Sequence, residues 1–239
     1  KRTRRILRST YYGYKKVSGI DAKVTQLIQW QSKLLTAGLD GVFEVVQTTA
    51  TPIVETPVRF LFASEKQAML LLSSYDDKLH WLTPGKGGWI DEYKVSAVDN
   101  PINYIFEEGK AIWLCSFDKA YRFEQAGDTV QNIQRFDLVN PNFDKTVGIS
   151  KNSEVVIATT SGFYIYNGSH RKLSRIDTLS SPKSFFSNNN VIWFRDDHQW
   201  HLTGNSGQQE NLQLLNLFTN IRFISTDPGA GITWIINGN

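Results

Sequence analysis

The chain has 239 residues, 41% of them hydrophobic and 21% charged, and a net charge of only +3. Those proportions exclude a disordered or collagen-like chain, and the near-neutral balance offers no general basis for binding nucleic acid. A single cysteine, Cys115, rules out an internal disulfide and a cysteine-based zinc site.

The chain opens on Lys1, Arg2, Arg4 and Arg5, a basic run read as a solvated strand end or cut linker. Apolar runs such as Ala68-Met69-Leu70-Leu71-Leu72 are far too short to span a bilayer, so no direct membrane insertion is expected. With no initiating Met and no signal-peptide pattern, the chain is expected to be an excised soluble piece of something longer. Asn167-Gly168-Ser169 fits a glycosylation acceptor, a match too common by chance to carry weight.

Helical periodicity is absent apart from a short turn around Leu212 to Leu217. What recurs is short runs of Val, Ile, Thr, Tyr, Phe and Trp bounded by Gly, Asp, Asn and Ser, the signature of strands and hairpins. Arg4 to Ser9 and Tyr11 to Val17 are predicted as two strands without earlier partners. A four-strand unit then begins with Val24 to Trp30 as its inner strand, followed by Lys33 to Ala37 and Val42 to Val46. Asp40-Gly41 between the last two is the strongest hairpin signal, because Gly accepts positive φ without a Cβ clash. The second unit takes Val58 to Phe62, Met69 to Ser74, Leu79 to Leu82 and Trp89 to Val95. The third spans Ile102 to Val139, the fourth Val147 to Leu179 and the fifth Phe185 to Phe218. A sixth begins at Ile221 and stops after two strands.

First strands thus recur about every 35 to 45 residues, the repeat length of a propeller blade. A β-sandwich also uses short strands and many turns, but it would not repeat one four-strand pattern at a fixed period. The fold class predicted is all-β: a β-propeller of four-stranded antiparallel blades, five full ones with partial blades at both ends. It is expected to form one domain over residues 1–239 or a large fragment of one. Trp113, Trp193 and Trp234 fall at one equivalent position and are expected to wedge between blades.

The repeat itself is clearest in Glu107-Glu108-Gly109-Lys110-Ala111-Ile112-Trp113 and its return strand, and in Asn190-Val191-Ile192-Trp193. This acidic residue, Gly or Asn turn, Ile-Trp and aromatic return strand resembles the two-component regulator propeller repeat, and Tyr14 through Val24 is similar to such propellers too. The resemblance covers nearly the whole chain. It departs at Leu71-Leu72 and Val156-Ile157, where Trp is expected, and at Arg195-Asp196-Asp197, which lacks a Gly-containing turn. It implies a sensor propeller on the periplasmic or extracellular side of a bacterial signalling receptor, with an output module elsewhere in the parent chain. It also favours seven blades, roughly 280 to 315 residues, hence an open ring here. Backbone pairing between the strand near Ile6 and that near Trp234 would instead mean a closed six-blade ring.

Asp40, Asp76, Asp77, Asp118, Asp196 and Asp197 fall in turns between second and third strands. Such turns emerge on one face of a propeller, where a partial ring of carboxylates could hold a cation or a polyhydroxylated ligand. Against this, Asp is a preferred turn residue because its side chain bonds its own backbone. His198 and His201, three apart, would point to opposite faces of a strand, so no shared metal is expected. Ser225 through Trp234 resembles the Asp-box turn of sialidases with two extra residues, a structural rather than catalytic element in those enzymes. Trp30, Trp81, Trp89 and Trp200 could stack on sugar rings, but a propeller of this size needs them for packing. The expected function is a ligand-sensing module without catalysis or cofactor, whose partners are a small molecule or glycan and the parent's own output domains. A protein-docking scaffold and a sialidase-like enzyme remain the alternatives.

Overall fold

The computed structural model describes residues 15–238 apart from 65, 93–97, 99, 127–128, 140–144, 153, 189, 204–211, 219 and 228–231. The strands expected around Arg4 to Ser9 and at the start of Tyr11 to Val17, Ile6 included, lie outside these residues.

Six antiparallel sheets follow one another along the described chain as the blades of a propeller. Blade 1 is β1 (Val24–Trp30), β2 (Lys33–Gly38), β3 (Gly41–Val46) and β4 (Thr49–Val54). Blade 2 is β5 (Val58–Ser64), β6 (Met69–Ser74), β7 (Leu79–Gly85) and β8 (Gly88–Glu92). Blade 3 holds β9 (Tyr104–Glu108), β10 (Ala111–Cys115), β11 (Lys119–Ala126) and β12 (Thr129–Asp137). Blade 4 holds β13 (Val147–Lys151), β14 (Glu154–Thr159), β15 (Gly162–Asn167) and β16 (Lys172–Ile176). Blade 5 shows β17 (Ser184–Asn188), β18 (Val191–Arg195) and β19 (Trp200–Leu202), and blade 6 shows β20 (Ile221–Asp227) and β21 (Ile232–Asn237). The fourth strand expected in blade 5 falls in part on residues 204–211, outside the described residues; α1 (Leu212–Leu215) is a single helical turn at the one helical signal of the sequence.

Each blade meanders outward in sequence order, and the first strands β1, β5, β9, β13, β17 and β20 lie side by side. That places the start of every blade on the axis. Gly41 carries φ +125°, and a Cβ there would stand 1.9 Å from the Val54 carbonyl oxygen, so the Asp40-Gly41 turn admits only glycine.

The core consists of inter-blade layers. Leu70 and Leu72 of β6 pack toward blade 1, whereas Met69 and Leu71 pack toward blade 3. On β10, Ile112 and Leu114 face blade 2 while Trp113 and Cys115 face blade 4. A strand covered on both faces reads as a continuous apolar run, which is why these segments do not alternate. It also accounts for the missing tryptophans: Leu71 and Val156 occupy the wedge position with smaller side chains. Trp113 stacks on its cross-strand partner Phe106 at 5.9 Å, and Trp193 on Phe186 at 6.3 Å. Phe106 in turn fills the place a side chain would take at Gly148 in blade 4; a Cβ there would lie 2.1 Å from the ring.

Trp234 departs from the expected equivalence. It is 65% exposed, because among the described residues no sheet covers that face of blade 6. Leu27 on blade 1 is similarly 69% exposed, and blades 1 and 6 share no ladder among the described residues. Elsewhere, amide side chains bridge the first strands, whose free edges would otherwise leave backbone groups unpaired. Gln26 both donates to the Leu61 carbonyl (3.1 Å) and accepts from its N–H (2.7 Å), and Asn188 donates to the Ile224 carbonyl at 2.6 Å.

Candidate functional site

An antiparallel meander returns the turn between second and third strands to the end at which the first strand begins. The six turn aspartates therefore stand at one end of the propeller, as their positions imply. Four of them reach into the segment that opens their own blade. Asp40 accepts from the backbone N–H of Asp21 (3.0 Å) and Ala22 (2.5 Å), and Asp118 accepts from the Asn100 amide (3.0 Å) and the Ser116 hydroxyl (3.2 Å). Asp77 pairs with Arg59 at 3.1 Å and Asp197 with Lys183 at 3.4 Å. The other two close their own turns. Asp76 binds Ser74 and pairs with Lys78 at 2.7 Å; these bonds hold its carboxyl at about 2. Partial burial opposes ionisation of Asp196. The backbone N–H groups of Gln199 and His198 and the side chain of His201 (2.7 Å) outweigh it and bring the carboxyl to about 2.

Each carboxylate is thus engaged within its own blade. Among the described residues no three His, Cys, Asp or Glu side chains come together as a group able to hold a metal ion. Asp77 and Asp197 remain largely exposed, so a ligand at this end of the propeller meets them at its rim.

At the same end a cavity of about 530 Å³ opens on the axis. Its walls come from the first strands of five successive blades: Phe60, Tyr104, Val147, Phe186 and Phe223. Tyr104 spans from blade 3 to blade 5 through a hydrogen bond between its hydroxyl and Ser187. Phe117, from the turn of blade 3 that also carries Asp118, adds a further aromatic wall. A second cavity of about 410 Å³ adjoins it through the shared residues Lys145, Phe186 and Arg222. A pocket of this size, largely apolar with a few polar groups, is the usual form of a small-molecule site.

Those polar groups are uneven in charge. Among the described residues neither cavity has an Asp or Glu in its lining, whereas Lys145 and Arg222 line both. The Lys145 ammonium donates to the Phe185 carbonyl at 3.2 Å. Its side chain is open to the cavity, yet the surrounding protein displaces enough water to lower its pKa. Within the lining of the larger cavity, the Thr146 hydroxyl and both polar atoms of the Asn103 amide are buried without a hydrogen-bond partner among the described residues. Unpartnered buried polar atoms cost about 1–3 kcal/mol each, so three in one place mark a position that another polar group would stabilise.

The remaining candidates have structural roles. Trp30, Trp81 and Trp200 are fully buried, and Trp30 and Trp200 donate their indole N–H to the Ser64 and Phe218 carbonyls. Burial pushes the Cys115 thiol pKa well up, which leaves it unreactive. The Asp-box-like string occupies the β20–β21 connection, whose residues 228–231 are outside the description.

No family model and no curated protein matches the chain. Solved structures do. Two are of the extracellular domain of BT4673 from B. thetaiotaomicron, assigned to a hybrid two-component system in one case and to a one-component system in the other. The first superposes with a TM-score of 0.55 at 13% identity, covering 78% of this chain and 27% of that one. The second also has a TM-score of 0.55, at 16% identity, covering 93% of this chain and 33% of that one. This chain therefore spans about a quarter to a third of their length. The likeness is one of fold, and it falls on the kind of protein that the repeat resembles.

Proposed function

We propose that this chain is a sensor propeller, the whole or a large part of one propeller domain, that binds a small molecule or glycan at the axial cavity. The observation that carries this reading is the cavity's construction: five blades contribute walls to one mouth of small-molecule size. A ligand seated there touches several blades at once. It would bind two blade arrangements with different affinity and so favour one of them, the energetic requirement for a signal. An output module outside this chain would read that shift. The extracellular placement of the solved neighbours supports a periplasmic or extracellular position on a bacterial receptor. The chain is proposed to have no catalytic activity of its own, no cofactor, no direct membrane insertion and no role in binding nucleic acid. The rim carboxylates Asp77 and Asp197 are proposed as secondary contacts, with the other four turn aspartates shaping the rim.

A thermal-shift screen of small molecules and glycan fragments tests the assignment. A compound that raises the unfolding midpoint should bind at least about tenfold more weakly to Phe223→Ala, which loses one cavity wall. That ring is partly exposed, so its removal should leave the fold intact. If no compound binds, or if binding ignores Phe223→Ala, the axial-site reading fails and a docking scaffold takes its place.

A further inference from the structure

We infer that the axial cavity recognises a small organic anion, a carboxylate on a ring-shaped body, with Lys145 and Arg222 as its charge partners. The inference rests on the cavity being the ligand site proposed above, and it adds the chemical class of the occupant.

Three observations lead to it. First, the two adjoining cavities share both cations and, among the described residues, no Asp or Glu lines either, so a charged occupant is favoured there as an anion. Lys183, the third cation on the wall of the smaller cavity, already pairs with Asp197. Second, Lys145 has a carbonyl as its hydrogen-bond partner, the Phe185 oxygen, and is crowded enough that its pKa falls. An anion beside it would restore the preference for the charged form. Arg222 supplies a planar fork that matches a carboxylate with two parallel bonds. Third, the remaining walls are aromatic. Phe60, Phe117, Phe186 and Phe223 line the cavity and supply apolar surface against which a ring can pack.

Beyond the charge, Thr146 and Asn103 provide a hydroxyl and an amide without partners among the described residues. Both residues line the larger cavity, where a hydroxyl or carbonyl on the ring body can meet them. Each would then satisfy a group whose burial is now uncompensated. A neutral hydrocarbon would leave all of these unmet, and an inorganic anion would leave the aromatic walls unused.

The test is calorimetric titration with matched pairs: benzoate against benzamide, D-glucuronate against D-glucose, and sulfate alone. At least one of the two carboxylates should bind, and its neutral partner should bind at least about tenfold more weakly, the loss of one charge-assisted contact. Lys145→Met and Arg222→Gln should each weaken the carboxylate about 10- to 100-fold while Lys145→Arg retains binding. Raising the salt from 50 to 500 mM should weaken it further. Thermal unfolding of each variant separates loss of binding from loss of fold, and Arg222→Gln tests the charge without touching the Lys145–Phe185 hydrogen bond. Equal binding of charged and neutral partners that remains sensitive to Phe223→Ala would overturn the anion assignment and leave the axial site standing. Binding that ignores Phe223→Ala and both charge variants would remove both. Failure of both carboxylates to bind, or sulfate binding as tightly as they do, would also overturn the assignment.

Discussion

Removing the Trp113 indole should be the most damaging single truncation in the propeller. The ring is fully buried between blades 3 and 4, stacked on Phe106 at 5.9 Å and Phe136 at 5.5 Å, with Tyr166 edge-on at 4.9 Å. Its N–H also donates to Glu108 at 2.9 Å, a carboxylate that holds Arg122 at 2.9 Å as well. Truncation to Ala loses the transfer free energy of the ring and leaves a cavity that three rigid aromatics cannot collapse to fill, a cost of about 3–5 kcal/mol. The lost indole bond adds little, because Glu108 keeps its arginine partner and is not stranded. The matched comparison is Trp234→Ala. The same residue type at the equivalent repeat position is 65% exposed there, and its removal should cost under about 1 kcal/mol. Urea denaturation followed by tryptophan-independent circular dichroism reads both. A cost below about 1 kcal/mol at Trp113, or equal costs at the two sites, would refute the inter-blade wedge.

Three further outcomes follow from the same geometry. Gly148→Ala should cost about 1–3 kcal/mol by urea denaturation, since the new Cβ would meet the confined Phe106 ring; a neutral result would show that the blade 3–4 contact is loosely packed. Asp196 has its folded pKa held at about 2 against an unfolded value near 3.9, so its contribution is complete above about pH 4 and is lost as pH falls toward 2. Asp196→Asn should therefore lower the unfolding midpoint at neutral pH, with the gap to wild type closing across that acid window; a gap that is constant with pH would contradict the pairing. The chain should show no measurable hydrolysis of sialosides or common glycans, and a turnover abolished by replacing one rim carboxylate would promote the enzyme reading.

Much of the architecture was legible because the two kinds of signal agree. Met69 to Ser74 and Val24 to Trp30 have the limits read from sequence: the first is an apolar run covered on both faces, the second a β-rich segment with one exposed face, and turn residues bound both. Trp234 was misplaced for a definite reason. Periodicity identifies the face of a sheet on which a residue lies, but not whether another blade covers that face. Strand counting alone puts the aspartates together at one end of the propeller. Their partners were less accessible, because Asp40 bonds the chain near residue 21 and Asp118 bonds Asn100, contacts set by how the lead-in segment crosses the turn. Lys145 and Arg222 gave no sequence signal as a pair. They are 77 positions apart and share no motif, and only the packing of blades 4, 5 and 6 around the axis brings them to one cavity. The one available hint was position: a residue at or just before the start of a first strand faces the axis at this end.

Hydrogen exchange across the protein, with and without the compound that most raises its unfolding midpoint, tests the axial site most directly. The account predicts added protection at the starts of the first strands, in Lys145 to Ile149, Ser184 to Asn188 and Ile221 to Ile224, with the fourth strands β4, β8, β12 and β16 unchanged. Protection confined to those outer strands, or to the Gly109 and Asn190 turns at the opposite end of the propeller, would contradict it.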